Sequence, residues 1–273
     1  MHAKLSTQTR EAVTGGSPMN TQLQKFQTDG YAVFERILDA GLIAEASDHI
    51  NWLLKQNPGI RPEQLHARLV RDDPFWVRLV SDDRLLDIAE SFIGPNIALF
   101  ASHYICKPPF DGQAVLWHQD GSYWPLQPME VITLWLAVDD STPENGCMRV
   151  IPGTHTMELQ ALKKRTDVAN VLGSGLDESL IDESKAIDLR LKAGDVSTHH
   201  PNLIHGSHAN NSSRRRAGLT IRYIPTSTRI LSDEWPGSFL LRGHEVPGVN
   251  EYLPRPRYVP GRHMPFHGCE SWS

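Results

Sequence analysis

Trp117-His118-Gln119-Asp120 sets an imidazole and a carboxylate two residues apart. On an extended chain residues i and i+2 face the same side, so both groups can reach one metal ion. The third ligand has to come from another strand, and His205, in Leu203-Ile204-His205-Gly206-Ser207, is the candidate. Two histidines and one carboxylate on a common face leave coordination positions open, which is the facial donor set of non-haem Fe(II) oxygenases. An HxD triplet is common in sequences, and a histidine after an apolar pair is equally unspecific. The combination carries weight only with a further group.

That group is Arg216, eleven residues beyond His205. A keto diacid such as 2-oxoglutarate chelates iron through its keto acid end, and its distal carboxylate then needs a cation deeper in the protein. The planar guanidinium binds a carboxylate bidentately and stays charged when buried. Arg216 opens the apolar run 217–224, at the start of a predicted strand, whereas Arg214 and Arg215 read as exposed turn residues.

The elements that must position these residues divide the chain in two. Helical spacing marks a segment from Thr21 to about Asp29, residues 39–56 and residues 75–93, the last stopped by Gly94-Pro95, with Tyr31–Phe34 as a short strand. Beyond residue 96 short β-rich runs take over, at 97–105, 131–138, 148–151, 187–191, 196–198 and 217–224. Pro108-Pro109, Asn145-Gly146, Pro152-Gly153 and Gly194-Asp195 separate them. The pattern predicts N-terminal helices packed on one sheet of an antiparallel barrel or jelly roll. Residues 1–18 read as a disordered tail and 19–273 as one domain. The polar, acidic stretch 157–186 interrupts the strands and is the candidate lid.

Composition narrows the class. Of 273 residues 40% are hydrophobic and 22% charged, and the formal net charge is −5, which disfavours a nucleic-acid partner. Three cysteines without CxxC spacing form neither a disulfide framework nor a zinc site. The N-terminus lacks an apolar signal core and no apolar run is long enough to span a membrane, so a cytoplasmic location is expected. Of the 13 histidines, His155 reads as structural. His199 and His200 lack the Gly-Ser that follows His205.

Several segments in order resemble the phytanoyl-CoA dioxygenase family of Fe(II)/2-oxoglutarate oxygenases. These are Phe26–Phe34, Lys107-Pro108-Pro109, His118-Gln119-Asp120, Pro143–Cys147, Val150–His155 and His205-Gly206-Ser207, followed by Asn210, Ser212 and Arg216. The resemblance runs from about Phe26 to Pro225. It implies a double-stranded β-helix (jelly roll, cupin-like), with Fe(II), 2-oxoglutarate and O2 as cofactor and cosubstrates. It further implies His118, Asp120 and His205 as iron ligands, Arg216 and Ser207 at the 2-oxoglutarate carboxylate, Trp135 along the cosubstrate, and His103 at a contact that varies within the family. Trp124 aligns with an aromatic residue near the iron. The expected chemistry couples decarboxylation of 2-oxoglutarate to oxidation of a substrate C–H bond. Asp120 fills the position that related halogenases leave small, so hydroxylation is favoured over halogenation, with desaturation or ring formation still open.

A small polar metabolite is the expected substrate, since nothing in the chain suggests a coenzyme A site. Lys107 and Asn202, if both face the mouth, are candidates to hold an anionic group such as a phosphonate, and an aminophosphonate like 2-aminoethylphosphonate leads the list. Tyr123, Trp124 and the segment 231–273 are further candidates for the pocket wall. A natural-product hydroxylase is the runner-up. A metal-dependent hydrolase or isomerase, or a binding module on the same barrel, is the alternative from another class. Neither of these needs Arg216 or an open triad.

Overall fold

In a computed structural model the described residues are 18–272 apart from 67, 234, 236 and 237. All of the expected N-terminal tail except Pro18 lies outside them. The helices are α1 (Pro18–Asp29), α2 (Ala40–Gln56), α3 (Pro74–Val80) and α4 (Asp83–Ile93), with strand β1 (Tyr31–Phe34) between the first two. α2 is capped by Asp39, whose carboxylate accepts from the backbone N–H groups of Gly41 and Leu42. It buries Leu42, Ile43, Ala46, Ile50 and Leu53, the one-face spacing of an amphipathic helix.

The single helix expected over 75–93 is two helices. Ser81 and Asp82 interrupt it. Asp73 caps α3 at Trp76 N–H, with Pro74 in the first turn, and Asp82 caps α4 at Arg84 N–H. Two N-cap carboxylates nine residues apart favour two short helices over one, although the apolar positions stay in phase across the break.

The remaining strands are β2 (Ile97–Tyr104), β3 (Val115–His118), β4 (Leu126–Gln127), β5 (Ile132–Ala137), β6 (Arg149–Val150), β7 (Lys163–Lys164), β8 (Ser174–Gly175), β9 (Ile187–Asp188), β10 (Val196–His199), β11 (His205–Ser207), β12 (Gly218–Pro225), β13 (Arg229–Ile230) and β14 (Phe239–Arg242). Six form one antiparallel sheet in the order β1-β10-β5-β12-β2-β14, and four form a second in the order β3-β11-β6-β9.

Alternation along β5 and β12 decides what lies on each side of the larger sheet. Ile132, Leu134 and Leu136 of β5, with Ala217, Leu219, Ile221 and Tyr223, join Leu42, Ile50, Trp76, Leu85 and Ile88 of the helices in the main core. The opposite face carries Trp135, Arg216, Thr220 and Arg222 into a cavity shared with the smaller sheet. Beside that cavity Trp135 and Ala137 pack against Met148, Val150 and Leu203. The helices thus seal one face of the larger sheet, at roughly 1.5–3 kcal/mol per large apolar side chain buried, and leave the other face for chemistry.

Residues 157–186 fold against β3. Leu176 donates its N–H to Trp117 O at 2.8 Å and packs with Ile151 and Ile204. The short hairpin of β7 and β8 holds Leu172 at the cavity. The C-terminal segment behaves differently from the pocket cover expected for it. Met264, Phe266 and Cys269 sit in the helical core, and of that segment's described residues only Trp235 reaches the cavity wall. Phe266 packs on Phe75 of α3 with ring centroids 5.6 Å apart, and Trp272 lies against Phe266 at 6.4 Å.

Candidate metal and cosubstrate site

His118 and His205 are direct cross-strand partners on β3 and β11. Each directs Nδ1 at a nearby carbonyl of its own chain, His118 to Leu116 O at 2.8 Å and His205 to Leu203 O at 2.9 Å. Both bonds leave Nε2 aimed at a common point, the way a ligating imidazole is held by the hydrogen bond of its other nitrogen. Asp120 completes the group, with Oδ1 3.3 Å from His118 Nε2 and 3.9 Å from His205 Nε2. All three residues are buried, and one potential ligand atom from each lies within 4.8 Å of the others.

One detail departs from the expected strand. β3 ends at His118, and Asp120 opens a 3-10 turn (Asp120–Tyr123). The turn is anchored by Gly121 N–H on Pro201 O at 2.9 Å. Asp120 therefore reaches the histidines from a turn, with its side chain still on their side.

The second oxygen of Asp120 is gripped separately. His199 Nε2 lies 3.4 Å and Arg222 Nη2 3.5 Å from Oδ2. Burial alone would raise this carboxyl. Arg222 and the hydrogen bonds from His118 and His199 outweigh it and hold the group well below the usual carboxylate range. Oδ1 is thereby the oxygen left for a metal. Burial also pushes His205 well below its ordinary value, which keeps its imidazole neutral as ligation requires.

Arg216 closes the other end of the cavity. Its guanidinium is buried and lies over the Trp135 ring at 5.2 Å, with one hydrogen bond among the described residues, to Ile105 O at 3.3 Å. Nε has no hydrogen-bond partner among the described residues. Burial pushes its pKa down to about 10, still far above neutrality. A buried cation without a carboxylate is costly, and this one faces the same cavity, of about 240 Å³, as His118, Asp120 and His205. The donor set fits Fe(II), and the uncompensated arginine fits the distal carboxylate of 2-oxoglutarate.

The other predicted residues distribute as follows. Ser207, Trp135, His103, Tyr123 and Trp124 all line the cavity. The Tyr123 hydroxyl is 2.6 Å from Ser174 Oγ, which ties it to the segment 157–186. His103 is driven down to about 3 by burial and by Arg222, so it is a neutral neighbour.

Lys107 and Asn202 do not occupy the mouth. Lys107 is fully buried, donates from Nζ to Ser207 Oγ at 2.7 Å and to His208 O, and pairs through its backbone with Arg216. Asn202 spends its side-chain N–H on Met157 O at 2.9 Å, and its backbone carbonyl accepts from Gln119 Nε2 at 2.8 Å. Both side chains end on backbone carbonyls, and neither lines the cavity. Arg215 is half-buried on Asp139 at 2.8 Å instead of free in the turn.

The sequence does not single out Arg222, it sets His199 aside as a ligand for want of the Gly-Ser that follows His205, and Trp235 enters only within the segment 231–273. For Arg222 the signal was there: Arg216, Gly218, Thr220 and Arg222 alternate with Ala217, Leu219, Ile221 and Tyr223, so one strand face carries both arginines. His199 offered no such signal beyond its place in a predicted strand.

A facial two-histidine, one-carboxylate centre with an arginine at the far end of its cavity defines a class of oxygenase. Comparison with known proteins agrees. The profile of the phytanoyl-CoA dioxygenase family matches residues 26–218, and the chain belongs to that family. It is an Fe(II)/2-oxoglutarate-dependent dioxygenase, an oxidoreductase. A probable alpha-ketoglutarate-dependent hypophosphite dioxygenase of Stutzerimonas stutzeri is 29% identical over 206 residues, covering 73% of this chain and 68% of that protein. The ectoine dioxygenase of Sphingopyxis alaskensis is 26% identical over 256 residues, 84% of each chain. Among solved structures, EctD from S. alaskensis with 2-oxoglutarate and 5-hydroxyectoine superposes with a TM-score of 0.64 at 25% identity, covering 90% of this chain and 91% of that one. The non-heme monooxygenase ThoJ shares the fold with a TM-score of 0.70 at 24% identity, covering 85% and 87%. No described helix is long and apolar enough to cross a membrane.

Proposed function

We propose that the protein hydroxylates a small organic metabolite, with His118, Asp120 and His205 holding Fe(II) and Arg216 holding the distal carboxylate of 2-oxoglutarate. The observation that carries this reading is the buried guanidinium of Arg216 in the same cavity as the three ligands, unpaired with any described carboxylate. Bound iron supplies oxidation of a substrate C–H coupled to decarboxylation of the cosubstrate. The chain's own residues do the rest. Trp135 shapes the cosubstrate end under Arg216, and Ser207 offers a hydroxyl there that Lys107 orients. Asp120 supplies a carboxylate where a halide would need an open position, which favours hydroxylation over halogenation.

The two antiparallel sheets are read as the halves of a double-stranded β-helix, with residues 19–273 as one domain and 157–186 as its lid. Leu172 and Tyr123 would meet substrate from the lid side. The cavity, about 240 Å³, is below the usual range for drug-sized ligands of roughly 300–1,000 Å³. It suits a metabolite of few atoms and disfavours an acyl thioester. An aminophosphonate such as 2-aminoethylphosphonate is the first substrate to try, supported by the likeness to a protein named for another phosphorus compound.

A natural-product substrate is the second reading. The wall of Trp124 and Trp235, with Phe100 stacked on Trp235 at 4.2 Å, favours it because such a wall suits a ring. A cytoplasmic location follows if the substrate is an internal metabolite. Succinate release, measured with Fe(II), 2-oxoglutarate and O2 over a panel of aminophosphonates and cyclic metabolites, tests the proposal. Stimulation several-fold above the substrate-free rate by a panel member supports it. A rate that depends on neither Fe(II) nor 2-oxoglutarate would overturn it.

A further inference from the structure

Arg222 is the second cation of the cavity, and the proposed reaction does not use it. It is 7% exposed and extends from β12 along the same face as Arg216. Its guanidinium rests on the Trp124 ring at 5.1 Å. Nη1 donates to Thr220 Oγ1 at 3.0 Å, with His103 Nδ1 at 3.4 Å. Nη2 meets Asp120 Oδ2 at 3.5 Å, the outer limit of a hydrogen bond, and Nε has no partner among the described residues. A guanidinium carries five donors; three here have partners, two of those at 3.4 and 3.5 Å, and the group lines the cavity with two donors unspent.

Charge counting sharpens the point, on the reading that Fe(II) and 2-oxoglutarate occupy this site. Asp120 is the sole carboxylate among the cavity-lining residues described. Once it binds the metal, four positive charges (two on the metal, one on each arginine) face three negative ones, those of Asp120 and of the doubly charged cosubstrate. One positive charge remains in a buried, low-dielectric space, beside Arg222. An uncompensated buried charge is unfavourable until an anion pairs with it.

We infer that Arg222 is the specificity-determining residue of this enzyme, and that it binds the single anionic group, carboxylate or phosphonate, of a small substrate. The indole of Trp124, which also lines the cavity, lies against the guanidinium, and Thr220 fixes its rotation. Because Arg222 touches the carboxylate proposed to hold the metal, an anion seated on it keeps its neighbouring carbons beside the metal. The bond oxidised is then next to the anionic group, not at the far end of a long chain. The role first expected of Lys107 and Asn202 passes to this one residue.

The test uses the full chain loaded anaerobically with Fe(II) and 2-oxoglutarate. Acetate, propionate, methylphosphonate and 2-aminoethylphosphonate are titrated in, beside the neutral probes acetamide and ethanol. Binding is read by calorimetry and by the shift of the visible Fe(II)–cosubstrate band. In the wild type at least one anion is expected to bind and neither neutral probe. Arg222→Gln should weaken that binding by about 10- to 100-fold, and Arg222→Lys should restore part of it. Because Arg222 also holds Asp120, metal affinity is measured in both variants and anion binding is compared at saturating Fe(II), where 2-oxoglutarate affinity should stay within about threefold, a change of well under 1 kcal/mol. Both variants are checked by melting temperature, and the lysine variant answers if the glutamine one fails to fold. The inference is overturned if no anion binds, if anion binding survives Arg222→Gln, or if that variant loses metal while saturating metal restores full anion affinity. A wild type without the Fe(II)–cosubstrate band would instead count against the cofactor reading itself.

Discussion

Asp120 receives His118 and His205 on one oxygen and His199 and Arg222 on the other. That division is what lets a single carboxylate serve a metal while remaining ionised in a buried site. Lys107 shows the opposite case, a cation forced toward neutrality. Burial, with Arg216 nearby, pushes its pKa down to about 6 from 10.5. Between those values the unfolded chain holds a proton that the folded chain does not, so stability rises with pH across this window and the penalty is complete below pH 6. Lys107→Met removes the penalty. Whatever the lost bonds to Ser207 and His208 cost, its melting temperature is expected to rise less than that of the wild type between pH 7 and pH 9. Melting curves over that range check it, and an unchanged slope would contradict the assignment. The metal ligands were legible because residue type, two-residue spacing and Arg216 point to one chemistry. The placement of Lys107 was not, because burial of a lysine depends on which backbone carbonyls the fold leaves open, here that of His208.

At the scale of elements, β12 organises the site. It pairs with β5 and β2, begins two residues after Arg216 and carries Arg222. Gly218 sits between them opposite Ala137, and a Cβ there would fall 2.0 Å from Trp135 Cζ2. The strand needs glycine at this point because the Trp135 ring lies across it to reach Arg216. Gly218→Ala is therefore expected to destabilise the fold by about 1–3 kcal/mol and to weaken 2-oxoglutarate binding in the same variant, measured by chemical denaturation and calorimetry. Loss of stability alone would mean that Trp135 does not shape the cosubstrate end. The alternation of β12 and β5 could be read directly from the sequence. The split of the helix at 81–82 and the role of residues 231–272 could not. The first turns on caps that compete with an unbroken apolar phase, and the second on which of two apolar surfaces the tail meets.

For the whole molecule, the site joins the two sheets. His118 and His205 belong to the smaller sheet, Arg222 to the larger, Arg216 to the segment just before β12, and Asp120 to the turn between β3 and β4. A metal and a cosubstrate bound at this junction stabilise only the folded state. At a hundredfold excess over the dissociation constant this linkage gives about 2.7 kcal/mol, or roughly 5–10 °C in melting temperature for a chain of this size. Differential scanning with Mn(II) in place of iron, with and without 2-oxoglutarate, checks the prediction. The pair should shift the transition more than the metal alone, and equal shifts would place the cosubstrate elsewhere.

The central claim is that one cavity holds Fe(II) on His118, Asp120 and His205 and 2-oxoglutarate on Arg216. Anaerobic titration of Fe(II) in the presence of 2-oxoglutarate, followed by visible absorption, tests it most directly. The wild type is expected to develop a weak charge-transfer band, His205→Ala to lose it, and Arg216→Ala to require about 10- to 100-fold more 2-oxoglutarate. An intact, iron-loaded wild type without the band, or an Arg216→Ala titration that matches the wild type, would contradict the account.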